Sequence, residues 1–223
     1  MTAIITTPAP ASINRQATWE KYLHRVENSQ SELERVFFNC GAMWTEDMGN
    51  EGIKHARFNK LFTLMLGFWF AKQENVEFDL LGGCVLEKQP YQGAAPDEVL
   101  YIGADSPPAP ETGSRRVNLN QCRVPDLVVE ISDTTLSTDL DRKKQLYLAL
   151  EIPEYWVVNI RGKQVIAFRL IDGEYEECVE SVALSGLPIQ LLEQTIDRMD
   201  NHNGNAALWF AAQIQNLPLK SVG

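Results

Sequence analysis

Pro125-Asp126-Leu127-Val128-Val129-Glu130-Ile131-Ser132-Asp133-Thr134-Thr135, with Thr138-Asp139-Leu140-Asp141-Arg142-Lys143-Lys144-Gln145-Leu146-Tyr147 close behind it, decides how this chain is read. The β-branched run over 127–131 predicts a strand. A strand apolar at nearly every position is buried on both faces, so an acid at its end is unusual. Side chains alternate along a strand, which puts Asp126, Val128 and Glu130 on one face with the two acids about 13 Å apart, too far to chelate one ion. The segment 139–150 predicts a helix. At roughly 100° per residue, Leu140, Leu146, Tyr147 and Leu150 define an apolar arc, and Lys143 falls inside it. A lysine on a packing face is costly unless its ammonium meets an anion. Three solutions stay open: Asp139 as an i,i+4 partner, Glu130 with a water or phosphate oxygen, or snorkelling to solvent.

A second Pro-Asp, Pro96-Asp97, precedes the strand-like Glu98-Val99-Leu100-Tyr101. If the two strands are neighbours, Asp97 and Glu130 stand about 4.8 Å apart. Two converging carboxylates with water suit a hard cation such as Mg2+, and the ion relieves their repulsion. The competing reading has both acids capping loops or pairing with arginines.

Outward from this centre, Trp19, Tyr22, Leu23 and Val26 recur at helical spacing behind Thr18, a helix cap. Val36-Phe37-Phe38 and Ala42-Met43-Trp44 flank Asn39-Cys40-Gly41 as a hairpin. A long helix over 53–73 is apolar nearly all round in its second half and reads as the central packing element. Strands are expected over 76–81, 84–87, 99–102, 155–160, 164–170 and 175–179, and a loop over 106–113. Helices over 191–199 and 206–214 close the chain. The order predicts an α/β or α+β domain with one central mixed sheet flanked by helices. The divisions expected are a flexible N-terminal arm over 1–16, a domain over 17–195 and a C-terminal helical extension over 196–223.

Composition limits the function. The 223 residues are 44% hydrophobic and 22% charged, an ordinary globular balance. The net charge of −10 argues against a salt-sensitive nucleic-acid binder that relies on a basic surface. Eight acids against Arg198 alone lie within 171–200, however, so the earlier part of the chain is close to neutral and can approach a phosphate. Cys40, Cys84, Cys122 and Cys178 form no Cys-x-x-Cys pair, which removes zinc-ribbon and redox motifs and suits isolated thiols in the cytoplasm. The near-apolar run 61–71 is short of the roughly 20 residues a membrane span needs.

The quoted stretch, together with Ile152-Pro153-Glu154-Tyr155-Trp156-Val157-Val158, Asp47-Met48-Gly49-Asn50-Glu51-Gly52-Ile53-Lys54-His55 and Gly93-Ala94-Ala95-Pro96-Asp97, resembles the Uma family of putative restriction endonucleases. That bacterial family, long catalogued as a domain of unknown function, belongs to the PD-(D/E)XK nuclease-like superfamily. The resemblance spans about 17–195. It implies a restriction-endonuclease-like fold and hydrolysis of DNA phosphodiesters with Mg2+ or Mn2+. Asp97 then resembles the first metal carboxylate and Glu130 the acid of the (D/E)XK element, with Ile131 beside it in the metal set. The superfamily lysine usually stands two positions after that acid, where this chain has Ser132. In the family the chain resembles, it has moved to the following helix, at the place of Lys143. Asp126, Glu51 and His55 are secondary candidates, Asp126 as a second ligand or a strand-end hydrogen-bond acceptor. Glu154 is expected to cap or to pair with Lys143.

Two other classes stand beside this one. Ser132 and the near-neutral segment 115–144 fit an inactive nuclease-fold module that binds or assembles. A two-carboxylate glycosidase needs an open cleft, which the lysine between the acids disfavours. A homodimer would suit double-strand cutting and would bury the apolar tail helix.

Overall fold

The computed structural model describes residues 13–28, 34–47, 52–73, 75–109, 114–200 and 202–218. Residues 1–12 of the expected arm, Glu51, and 110–113 of the expected loop lie outside the described residues. Thr18 caps α1 (Trp19–Glu27), its side chain accepting the Lys21 amide. The hairpin follows as β1 (Glu34–Asn39) and β2 (Ala42–Asp47). Cys40 and Gly41 at its tip have φ of 45° and 92°, the left-handed pair that matches the twist of two adjacent strands. Next come α2 (Ile53–Ala71), β3 (Phe78–Gly82), β4 (Val85–Lys88), β5 (Gln92–Ala94), β6 (Glu98–Ile102), β7 (Arg116–Asn118) and β8 (Leu127–Ser132). Beyond β8, α3 (Leu136–Thr138) runs into a π-helical stretch, Asp139–Lys143, and then α4 (Lys144–Ala149). The chain closes with β9 (Glu154–Asn159), β10 (Gln164–Ile171), β11 (Glu174–Glu177), α5 (Ile189–Asp197) and α6 (Asn203–Ile214).

The fold is mixed α/β, as expected, with a central six-stranded sheet in the order β11-β10-β9-β8-β6-β3. Its β8–β9 pair is parallel and its other pairs are antiparallel. The parallel pair explains the helix between those strands, because the chain must cross over to re-enter in the same direction. The expectation of one sheet is corrected to two, the second running β2-β1-β5-β4-β7. Its strands β5 and β7 have three residues each and carry too short an alternation to be read.

Alternation along β8 divides the core. Leu127, Val129 and Ile131 face α2, α5 and α6, packing with Phe62, Met65, Trp69 and Phe210. Val128 faces the other side, where Leu146, Tyr147 and Leu150 of the crossover helix meet Phe37, Trp44 and Leu86 of the second sheet. Burying each such side chain contributes roughly 1.5–3 kcal/mol. Tyr155 and Trp156 are fully buried, as core rather than a stacking platform. Phe210 and Ile214 of α6 join the same core as α2, and no helix among the described residues is long and apolar enough to cross a membrane.

Candidate active site

Glu130 shares the Val128 face of β8 and therefore points between the two sheets, beneath the crossover helix. The pairing Glu98↔Val129 and Val99↔Val128, continued by one residue, sets Asp97 opposite Glu130. The neighbouring strands on which the sequence argument depended are thus in place. Asp97 accepts the Ile131 amide at Oδ2 (2.7 Å), which ties it to the residue after Glu130. Its Oδ1 receives Arg35 at 2.6 Å, and His55 Nε2 stands 3.6 Å from Oδ2. Both acids are buried, as is His55.

Lys143 is the hub of the site. Its side chain is 2% exposed, and Nζ lies 2.7 Å from Glu46, 2.9 Å from Asp139 and 3.1 Å from Glu130. Lys143 therefore meets both Asp139 and Glu130, and snorkelling is excluded. Asp139 and Lys143 stand at the two ends of the π-helical stretch, four residues apart, and both are buried. Thr135 donates to Asp139 Oδ2 (2.7 Å), Tyr147 donates to Glu130 Oε1, and the Phe37 ring lies 4.8 Å from the ammonium.

Two participants came from outside the quoted stretch. Arg35 and Glu46 are directly opposed across the β1–β2 hairpin. Arg35 reaches Asp97 and Glu46 reaches Lys143, so the hairpin presents a cation to the site's acid and an anion to its lysine. Sequence reading missed both, because their partners are about 60 and 100 residues distant and lie on another sheet. The one signal available was charge at facing positions of a short hairpin.

The remaining candidates separate from this centre. Asp126 accepts the Ile102 amide (2.7 Å) and Arg123 (2.9 Å), the strand-end acceptor role rather than the metal one. Glu154 does not pair with Lys143. It accepts Trp156 Nε1, the Ser181 hydroxyl and the amides of Val182 and Ala183 instead, because β9 enters the sheet beside that loop. Ile131 has a core side chain, so only its backbone oxygen could serve an ion.

The charges are unbalanced. Glu46, Asp97, Glu130 and Asp139 surround Lys143 and Arg35, with His55 at the margin. Burial pushes the Asp97 carboxyl up, but Arg35 and His55 outweigh it and hold the group below the usual carboxylate range. Burial also pushes Glu130 up to about 8, aided by Asp97 and Asp139 and opposed by Lys143. Burial likewise raises Glu46. Lys143 is raised well above an ordinary lysine, since Asp139, Glu130 and Glu46 overcome its burial. Glu46 Oε1 is buried without a hydrogen-bond partner. Surplus buried carboxylate with a free oxygen suits a hard divalent cation. Among the described residues no three His, Cys, Asp or Glu side chains converge as a ready-made metal cluster. An ion here would take two carboxylates and complete its shell with backbone oxygen and water, the usual arrangement for Mg2+.

Comparison with known proteins agrees with this architecture. A family model described as Uma2, putative restriction endonuclease, matches residues 19–197. A solved structure, a putative nuclease belonging to DUF820 from Anabaena variabilis, aligns at a TM-score of 0.55 with 15% identity, covering 87% of this chain and 99% of that one. At that identity it shows a shared fold. No curated protein matches.

Proposed function

The chain belongs to the Uma2 family of putative restriction endonucleases, and from that premise we propose that it is a metal-dependent nuclease that hydrolyses DNA phosphodiesters at Asp97, Glu130 and Lys143. The observation that carries the reading is the placement of Asp97 against Glu130 on neighbouring strands with Lys143 bonded to Glu130. Asp97, Glu130 and the Ile131 backbone oxygen would hold Mg2+ or Mn2+. When bound, such an ion would supply Lewis acidity toward a phosphate oxygen and toward a water. Lys143 orients the attacking water and stabilises negative charge developing on the phosphoryl oxygens. Tyr147 and the Ile131 amide fix the two carboxylates in orientation. His55, near the start of α2, is a secondary member of the site through its approach to Asp97, and Glu51 is a secondary candidate by the family resemblance alone. A homodimer would supply one centre per DNA strand.

A cleavage assay on plasmid DNA with Mn2+, comparing the wild type with Glu130→Gln, tests this. The wild type is expected to cut and the variant to lose cutting; equal cutting by both removes Glu130 from the mechanism. The alternative, an inactive binding or assembly module, is favoured by two observations. Both oxygens of Asp97 and of Glu130 already receive protein donors, and the buried residue at position 132 is serine. Absence of cleavage together with absence of Mn2+ binding would select it.

A further inference from the structure

Resting on the metal-dependent reading above, we infer that the Lys143 ammonium and the divalent cation compete for Glu130, and that Glu46 and Asp139 are positioning residues that receive Lys143 when the cation takes Glu130. Glu130 has two oxygens; Tyr147 occupies Oε1 and Lys143 occupies Oε2. A cation that binds this carboxylate must displace one of them. Tyr147 is a neutral donor on the well-packed face of α4, whereas Lys143 carries the charge that repels the incoming ion. A displaced ammonium cannot go unpaired at 2% exposure. Glu46 and Asp139 are already 2.7 and 2.9 Å from Nζ, closer than Glu130 at 3.1 Å, so a short shift leaves Lys143 fully compensated.

The surroundings are built for such a shift. Glu46 Oε1 is buried and has no hydrogen-bond partner, and Asp139 Oδ1 meets Lys143 as an ion pair without hydrogen-bond alignment. Both acids therefore have capacity to strengthen their hold. Asp139 is anchored independently by Thr135, and Tyr155 donates to its backbone carbonyl (3.0 Å). Glu46 is anchored by the hairpin, where its cross-strand partner Arg35 clasps Asp97. One hairpin thus fixes the carboxylate that keeps its cation and the acceptor for the lysine that yields its place. The same arrangement keeps an ammonium next to Glu130 in both positions, which the placement of an attacking water requires.

The test is a double-mutant cycle on Mn2+ affinity, measured by calorimetry on the full chain. Glu46→Gln is expected to weaken Mn2+ binding roughly 10-fold or more in the wild-type background. In a Lys143→Met background the same change is expected to alter affinity by less than about twofold, because Glu46 acts through the lysine. Lys143→Met alone is expected to tighten binding. An equal weakening by Glu46→Gln in both backgrounds would make Glu46 a ligand and overturn the inference; no weakening in either would overturn it too. If neither the wild type nor Lys143→Met binds Mn2+ at millimolar concentration, the metal-dependent reading itself fails. Binding by Lys143→Met alone would support the competition. Should Lys143→Met fail to fold, the Lys143 ammonium 1H–15N signal in the wild-type protein decides. It is expected to move when Mg2+ is added, and an unmoved signal in the Mg2+-saturated protein overturns the proposal.

Discussion

Removing the ammonium at the centre of the site is the most informative perturbation of the fold. Lys143→Met keeps the length and the apolar stem of the side chain but leaves Glu46, Asp139 and Glu130 facing one another at 1–13% exposure. Breaking a buried ion pair by deleting one partner typically costs about 3–5 kcal/mol. That is a large share of the roughly 5–15 kcal/mol that holds a domain together. For a chain of this size it corresponds to a fall in Tm of about 6–20 °C. The loss should depend on pH. Glu130 is pushed up to about 8 and Glu46 is also raised, so both take up protons as the pH falls, and a neutral carboxyl needs no ammonium. The cost is therefore expected to be largest above pH 8, where Glu130 is ionised, and to shrink to about 1–2 kcal/mol near pH 5, the value of a lost hydrogen bond. Urea unfolding followed by circular dichroism at the two pH values measures it. A loss below about 1 kcal/mol at the higher pH would equate Lys143 with a surface ion pair; an equal loss at both would refute the charge argument.

Three further outcomes follow from the same geometry. With chelator present, the wild type should lose stability as pH rises from 4.5 to about 8, since folded Glu130 holds its proton where the unfolded carboxyl has released it. Asp97 works in the opposite sense but only below its ordinary 3.8, outside that window. Added Mn2+ should flatten the decline, and a Tm that climbs through the window in chelator would contradict this. Glu154→Ala leaves the Trp156 indole, the Ser181 hydroxyl and two loop amides without their acceptor. It should cost about 3 kcal/mol or more and speed hydrogen exchange at Val182 and Ala183; unchanged exchange there would argue against the cap. Gly93→Ala places a Cβ 2.3 Å from the Tyr22 ring, which cannot retreat while its hydroxyl is held by buried Glu87. A lower urea midpoint, worth about 1–3 kcal/mol, is expected, and an unchanged midpoint would mean that the ring moves freely.

Much of the architecture was legible because it is written locally. The long helix, both left-handed hairpin turns at Cys40-Gly41 and Asp172-Gly173, and the β8–helix–β9 crossover all follow from alternation, periodicity and turn residues within one segment. Lys143 was found the same way, as a charge inside an apolar arc. The helix itself was simplified, since a π turn cannot be told from an α turn by hydrophobic spacing alone. Of the two roles open to Glu154, capping holds and pairing with Lys143 does not: it opens β9, and its carboxylate turns to the 181–183 loop. The separate second sheet, and with it Arg35 and Glu46, depended on how two sheets stack. That is set by side-chain volumes across Phe37, Trp44, Leu86 and Tyr147 rather than by any pattern within a strand.

Diffraction from crystals soaked in Mn2+, collected at a wavelength where manganese scatters anomalously, tests the account most directly. A peak at bonding distance from both Asp97 and Glu130, with Lys143 turned toward Glu46 and Asp139, is the predicted result. A peak at another place on the protein, or well-diffracting soaked crystals with no peak between those two carboxylates, would contradict it.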